Sequence, residues 1–215
     1  MARGPGPRRR FRHSNLLLTL CGCNRLTLTQ CRRSDGDLFA WYSSLIYGGA
    51  RFEQPLGAVL AAARARFCLQ GPAQYNLCIS HRKRIQLNRE ANERERRAHP
   101  AVLVRAGPNT RAQDMWVWPG IRLLGCSGHR RIRNGVLYEV EAVDDDSITV
   151  GEGRLTFQQA VTSLRLAYAQ TYASCQGTEF SGTLALWDTQ NKYFSMRHLF
   201  VALSRAKNAE DICVK

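Results

Sequence analysis

The apolar run "YNLCIS" at 75–80 passes at once into the charged stretch "HRKRIQLNREANERERRAH" at 81–99, and this junction most constrains the fold. A β run feeding a helix is the unit of an α/β sheet, because parallel strands need a crossover that packs on the sheet face. Ile85, Leu87 and Ala91 are the only apolar anchors of that helix. The pattern returns near the C-terminus. "RLAYAQT" (165–171) reads as a strand, "ASCQG" (173–177) as a turn or helix start, and "GTLALWD" (182–188) as a second strand. "MRHLFVALSRA" (196–206) reads as a helix and "DICV" (211–214) as the closing strand. Helices are also predicted over "DLFAWYSSLI" (37–46), where Leu38, Trp41, Tyr42 and Leu45 fall at helical spacing, and over 55–69.

The texture changes at Pro119. "GIRLLGC", "GVLYEVEAV", "SITVGEG" and "RLTFQQA" are short alternating runs, parted by turn residues that include Asn134–Gly135 and 144–146. They predict a small antiparallel β unit inserted in the α/β frame. Ahead of that frame, residues 1–14 are rich in Gly, Pro and Arg and read as disordered, and 15–36 as a short apolar helix or strand pair.

Thirty-one basic residues stand against 17 acidic ones, a net charge of +14. Lys83, Lys192, Lys207 and Lys215 are the only lysines, so the charge is almost all arginine. Guanidinium forks pair with phosphate and stack on bases, which favours a nucleic-acid partner; a GC-rich coding sequence is the plainer explanation. Seven of these cations lie between Arg82 and Arg97 against three glutamates, either as a solvated helix face or as a binding face. Eight cysteines show no disulfide framework, which points to a reducing compartment. Cys21, Cys23 and Cys31 with His13 match no common zinc-finger spacing, and no metal site is expected. The basic start and the run 16–23 imitate a secretory signal but lack its length and small-residue exit. No run reaches the roughly 18 apolar residues that span a membrane. A soluble, intracellular protein is expected.

Two stretches carry a family likeness. "LAYAQTYASCQGTEF" (166–180) resembles the fifth motif of superfamily 1 helicases, and "LFVALSRAKNAEDICV" (199–214) resembles the sixth, in the same order and at a fitting distance. "RRSD" (32–35) looks like the arginine motif that follows the first motor domain of the family. "CISHRKRIQLN" (78–88) looks like the opening of the second motor domain, with Asn88 in the family's Asn position. The segment from Pro119 to Val143 resembles the approach to the barrel of RecD-like, 5′→3′ members. No Gly-x-x-x-x-Gly-Lys-Ser/Thr stretch occurs in the chain. The likeness therefore implies the C-terminal half of a DNA helicase. It would be an α/β, RecA-like domain of the P-loop NTPase type, with an inserted antiparallel β-barrel of the Src-homology kind. The divisions it implies are a basic tail with the end of the first motor domain (1–36), linker and first part of the second motor domain (37–117), barrel (118–163) and remainder (164–215).

The resemblance also implies roles. Arg205 would be the arginine finger on the γ-phosphate of ATP, and Arg33 a second γ-phosphate arginine, with Arg32 beside it leaving the register open. Gln176, Gly177 and Glu179 would meet the nucleotide, Glu179 at the ribose hydroxyls. Thr171, Ser80 and His81 would touch the backbone of single-stranded DNA; a surface role for His81 is equally open. Trp116 could stack on bases, although Trp116 and Trp118 read better as core. ATP and Mg2+ would be cofactors of the complete helicase only, and a first motor domain carrying the Walker motifs would be a partner. Ala173-Ser174 replaces the usual His-Lys of the fifth motif. That departure favours the alternative, a motor-dead nucleic-acid-binding remnant.

Overall fold

A computed structural model describes residues 15–24, 31–46, 48–107, 112–126, 132–151 and 153–215. The expected tail 1–14, with His13, lies outside these residues. The chain divides into two units, 1–32 and 33–215. Within the first, Asn15–Leu20 forms a short helix, α1, rather than a strand pair. The second unit opens with helices α2 (Gly36–Ser43) and α3 (Leu56–Arg66). Asp35 caps α2 by accepting from the Leu38 N–H at 2.7 Å.

Four short strands form a parallel sheet: β1 (Tyr75–Cys78), β9 (Ala169–Thr171), β10 (Leu184–Leu186) and β11 (Ile212–Val214), in the order β11-β10-β1-β9. Alternation sends Leu77, Leu184, Leu186, Ile212 and Val214 to one face, against α2, α3 and helix α6 (Met196–Leu203). Cys78 and Ala169 face the other way, against Leu87 of helix α4 (His81–Glu95). Each large aliphatic side chain so buried contributes roughly 1.5–3 kcal/mol, which is why strands this short hold.

Helix α4 buries a stripe different from the expected one. Ile85 is exposed, and the buried residues are Arg84, Leu87, Asn88, Ala91 and Asn92. Two asparagines do what apolar anchors would otherwise do. Asn88, fully buried, donates to the Ala169 carbonyl at 3.1 Å and accepts from the Ala169 N–H at 2.9 Å, capping the edge of the parallel sheet. Asn92 repeats this pairing on the backbone of Trp116, at 2.9 and 2.8 Å. Asn88→Ala is expected to lower stability by about 3 kcal/mol, since two buried backbone groups lose their partners. A urea unfolding curve checks this; a change under about 0.5 kcal/mol, the size of an ordinary surface substitution, would contradict it.

Between α4 and β9 the chain builds antiparallel structure. Strands β2 (Val102–Val104) and β3 (Met115–Val117) pair with each other. A five-stranded sheet contains β4 (Arg122–Gly125), β5 (Leu137–Val143), β6 (Ser147–Val150), β7 (Gly153–Thr156) and β8 (Leu164–Leu166), in the order β7-β6-β5-β4-β8. Both sheets share a second core that includes Val104, Val117, Leu123, Ile148 and Leu166.

Two expectations are corrected here. "RLTFQQA" is not one strand: Thr156 and Gln159 form a reciprocal capping box that starts helix α5 (Phe157–Ser163). "RLAYAQT" is not one strand either. Its first part, β8, pairs with β4, and its last part, β9, pairs with β1, so the chain changes sheets at Ala167–Tyr168. No helix among the described residues is long and apolar enough to cross a membrane.

Candidate nucleotide and nucleic-acid interface

Three segments far apart in sequence meet beside α6. Ser34 donates its hydroxyl to the Ala206 carbonyl at 2.8 Å, and the Asp35 N–H donates to the Lys207 carbonyl at 2.8 Å. The second carboxylate oxygen of Asp35 accepts from the Ala209 N–H at 2.7 Å. Thus Ser34 and Asp35 are sewn to the loop after α6. From the other side, the Phe180 N–H donates to the Arg205 carbonyl at 2.9 Å, and Phe180 bridges Ala206 in parallel. The fully buried Ala206 and Leu203 hold this loop on the first core.

The consequence is that Arg33, Glu179 and Arg205 share one locus. Arg33 donates to the Ser204 carbonyl at 3.2 Å, and its Nε lies 3.5 Å from the Glu179 carboxylate. Lys207 Nζ stands 3.5 Å from the other oxygen of Glu179. These half-exposed ion pairs add little to stability, but they set the direction of the carboxylate. Arg205 follows the end of α6, half-buried, and its Nε has no hydrogen-bond partner among the described residues. Its charge also reaches Cys175, whose thiol burial raises to about 11 against the opposing pull of Arg205. A half-buried guanidinium with an unsatisfied Nε is costly, because buried polar groups are normally hydrogen-bonded.

Gln176 and Gly177 lie exposed on the turn between Thr171 and Glu179. Gly177 has φ +92°, a left-handed conformation that favours glycine, although a Cβ there would meet nothing within 4 Å. The constraint is therefore backbone conformation, not crowding.

Thr171 and Ser80 are brought together differently, at the C-terminal ends of the adjacent strands β9 and β1. In parallel α/β sheets this is the end where ligands bind. Ser80 caps α4, accepting from the Lys83 N–H at 3.1 Å, and His81 is exposed on the first turn. Thr171 is buried and closed into the turn that follows it. Its hydroxyl lies 3.0 Å from the Ser174 hydroxyl, and its N–H donates to the same group at 3.1 Å. Ser174, the residue in the place of the usual lysine, is therefore spent locally. Asp188, after β10, has φ +59° and accepts from the Ile79 N–H at 2.9 Å, locking the same end of the sheet.

Trp116 is not near these groups. It pairs with Asn92, twelve residues beyond Ser80 and so about 18 Å along α4 at 1.5 Å per residue. Its ring carries the Arg96 guanidinium at 4.2 Å. Trp118 is buried and stacked on His99, with centroids 4.7 Å apart. Sequence reasoning missed Asp35, Lys207 and Asp188. Asp35 carried a readable signal, an acidic N-cap before an apolar periodic run. No group of three or more His, Cys, Asp or Glu side chains among the described residues could hold a metal ion.

Residues 125–214 match a family model described as the viral superfamily 1 RNA helicase core domain. No curated protein matches the chain. Among solved structures, the chain is similar to a Pif1 helicase from Bacteroides in complex with ADP-AlF3 and ssDNA. The two are 16% identical over 88% of this chain and 51% of that one, with a TM-score of 0.59. A Pif1 helicase from Candida albicans is 16% identical over 89% and 56%, with a TM-score of 0.54. A structure of two coordinating Pif1 helicases for DNA unwinding at forked dsDNA is 18% identical over 86% and 48%, with a TM-score of 0.58. The chain spans about half the length of each of these proteins. Over that span, it shares the mixed α/β fold of these Pif1 helicase structures.

Proposed function

We propose that the chain is the second motor domain of a RecD-like superfamily 1 helicase, which grips single-stranded DNA and supplies Arg205 to an ATP site. The Walker residues of that site, and with them magnesium, would come from a first motor domain. The observation that carries the reading is the meeting of Arg33, Glu179 and the Arg205 backbone at one locus, with Arg205 Nε left without a partner among the described residues. Phosphoryl transfer needs positive charge on the developing γ-phosphate, and arginine in a second domain provides it without reorganisation. Glu179 would turn from Lys207 and Arg33 to the ribose hydroxyls, and Gln176 and Gly177 would line the nucleotide. Thr171, Ser80 and His81 would hold the strand backbone at the C-terminal ends of β9 and β1. The antiparallel sheet carried between α4 and β9 would be the Src-homology-type barrel, with Trp116 at its edge.

A second reading, a motor-dead remnant that still binds nucleic acid, has one specific observation in its favour. Among the described residues Ser174 bonds Thr171 alone, so the fifth motif has no long polar side chain to carry a phosphate signal to the strand. On either reading, the isolated chain is expected to hydrolyse no ATP above background, with or without single strands, because no P-loop is present. Magnesium-dependent turnover by the purified chain that disappears in Arg205→Ala would overturn both readings.

A further inference from the structure

A second cationic locus lies away from Arg205, in a cleft between the N-terminal part of α4 and the α5–β8 corner of the antiparallel structure. His81, Arg84, Gln113, Cys126, Thr162 and Arg165 supply its polar lining, and no carboxylate is among its lining residues. Arg84 is only 9% exposed, and Arg165 is half-buried. The Nε atoms of both are buried and have no hydrogen-bond partner among the described residues. The two guanidinium groups lie close enough that, after burial itself, the charge of Arg165 is the strongest pull on Arg84 below its ordinary pKa. Both charges also pull on the Cys126 thiol, against the burial that raises it.

A buried guanidinium with no counter-charge among the described residues, facing a second one, is costly in the empty protein. Arginine does not escape by losing its proton, so an anion relieves the cost instead. Two planar forks offer the donor geometry that a tetrahedral oxyanion accepts, and the positive end of the α4 dipole adds to the field. Solvated lysines on a surface would show none of this burial.

We propose that Arg84 and Arg165 form a phosphate-binding site in this cleft. The phosphate is either one phosphodiester of a bound single strand, which rests on the function proposed above, or a free phosphate group, which does not.

Thermal unfolding of the full chain in inorganic phosphate, against chloride at equal ionic strength, tests the site. Phosphate is expected to raise the melting temperature of the wild type. Arg165→Gln is expected to weaken the apparent phosphate affinity about tenfold or more, since each charge-assisted bond carries that order of energy. Arg84→Gln is expected to abolish the effect while leaving the phosphate-free melting temperature unchanged or higher, because it removes an unpaired buried charge. Should that variant fail to fold, Arg165→Gln, at a half-exposed position, still decides. Fluorescence anisotropy with an oligo-dT strand then separates the sources. If phosphate displaces the strand and Arg165→Gln weakens strand binding, the occupant is a backbone phosphate. If strand binding is indifferent to both, the site takes a free phosphate. If no strand binds but phosphate still stabilises, the proposed function fails and the site stands. Equal effects of phosphate and chloride, or a phosphate effect that persists in both variants, would overturn the site itself.

Discussion

Mixed with its matching first motor domain, the chain is expected to restore ATP hydrolysis stimulated by single strands, and Arg205→Lys to reduce turnover about a thousandfold. Lysine keeps the charge but loses the planar fork that spans two phosphate oxygens. The substitution should leave strand binding nearly unchanged, because Arg205 follows the end of α6 and bonds Phe180 through its carbonyl, whereas Ser80 and Thr171 lie at the ends of β1 and β9. Glu179→Gln should behave differently. A ribose contact made equally in ground and transition states changes KM more than kcat. A folding defect would lower turnover and strand binding together, and so is separable from both patterns. Steady-state kinetics of the reconstituted pair read these differences, and full activity in Arg205→Lys would remove the finger from the account.

Raising salt from about 50 to about 200 mM is expected to weaken single-strand binding about 50-fold, taking on the order of four neutralised phosphates at about −0.7 in slope each. The net charge of +14 and the cations along α4 supply the field, and counterion release supplies the dependence. Discrimination between base sequences should be weak. The aromatic considered for stacking, Trp116, is half-buried, already carries Arg96 on its ring and stands apart from Ser80. Titrations of oligo-dT and a mixed-sequence strand across salt measure both quantities. A flat salt response would mean that the arginines are a solvated surface. Repeating the titration with RNA asks which backbone is preferred, a choice that the sequence leaves open.

The sheet and its helices were legible because their burial is one-sided or complete in short blocks. β1 followed by α4 is a change of hydrophobic period, and β10, α6 and β11 repeat it. The join of β8 and β9 was not legible. "RLAYAQT" is buried almost throughout, so nothing in its alternation marks where one sheet hands over to another. Helix α5 carried a signal in Thr156–Gln159, outweighed by the alternating run that contains it. Polar residues on buried faces were the harder case. Asn88 and Asn92, four apart on α4, look like solvated positions until β9 and β3 present the backbone groups that they satisfy. The same holds at the site: Arg33, Glu179 and Arg205 were readable as motif residues, whereas Asp35 and Lys207, which join the motifs, take their meaning only from the fold.

The most direct test of Arg205 as a finger is the affinity between this chain and the first motor domain, measured by sedimentation or anisotropy in ADP alone and in ADP with aluminium fluoride. The latter mimics the phosphoryl group in transfer, and groups that act in the transition state bind such mimics at least about 100-fold more tightly. The wild-type chain should associate more tightly in the aluminium fluoride complex, and Arg205→Ala should lose that gain while its affinity in ADP stays the same. An Arg205→Ala chain that keeps the full gain would contradict the account.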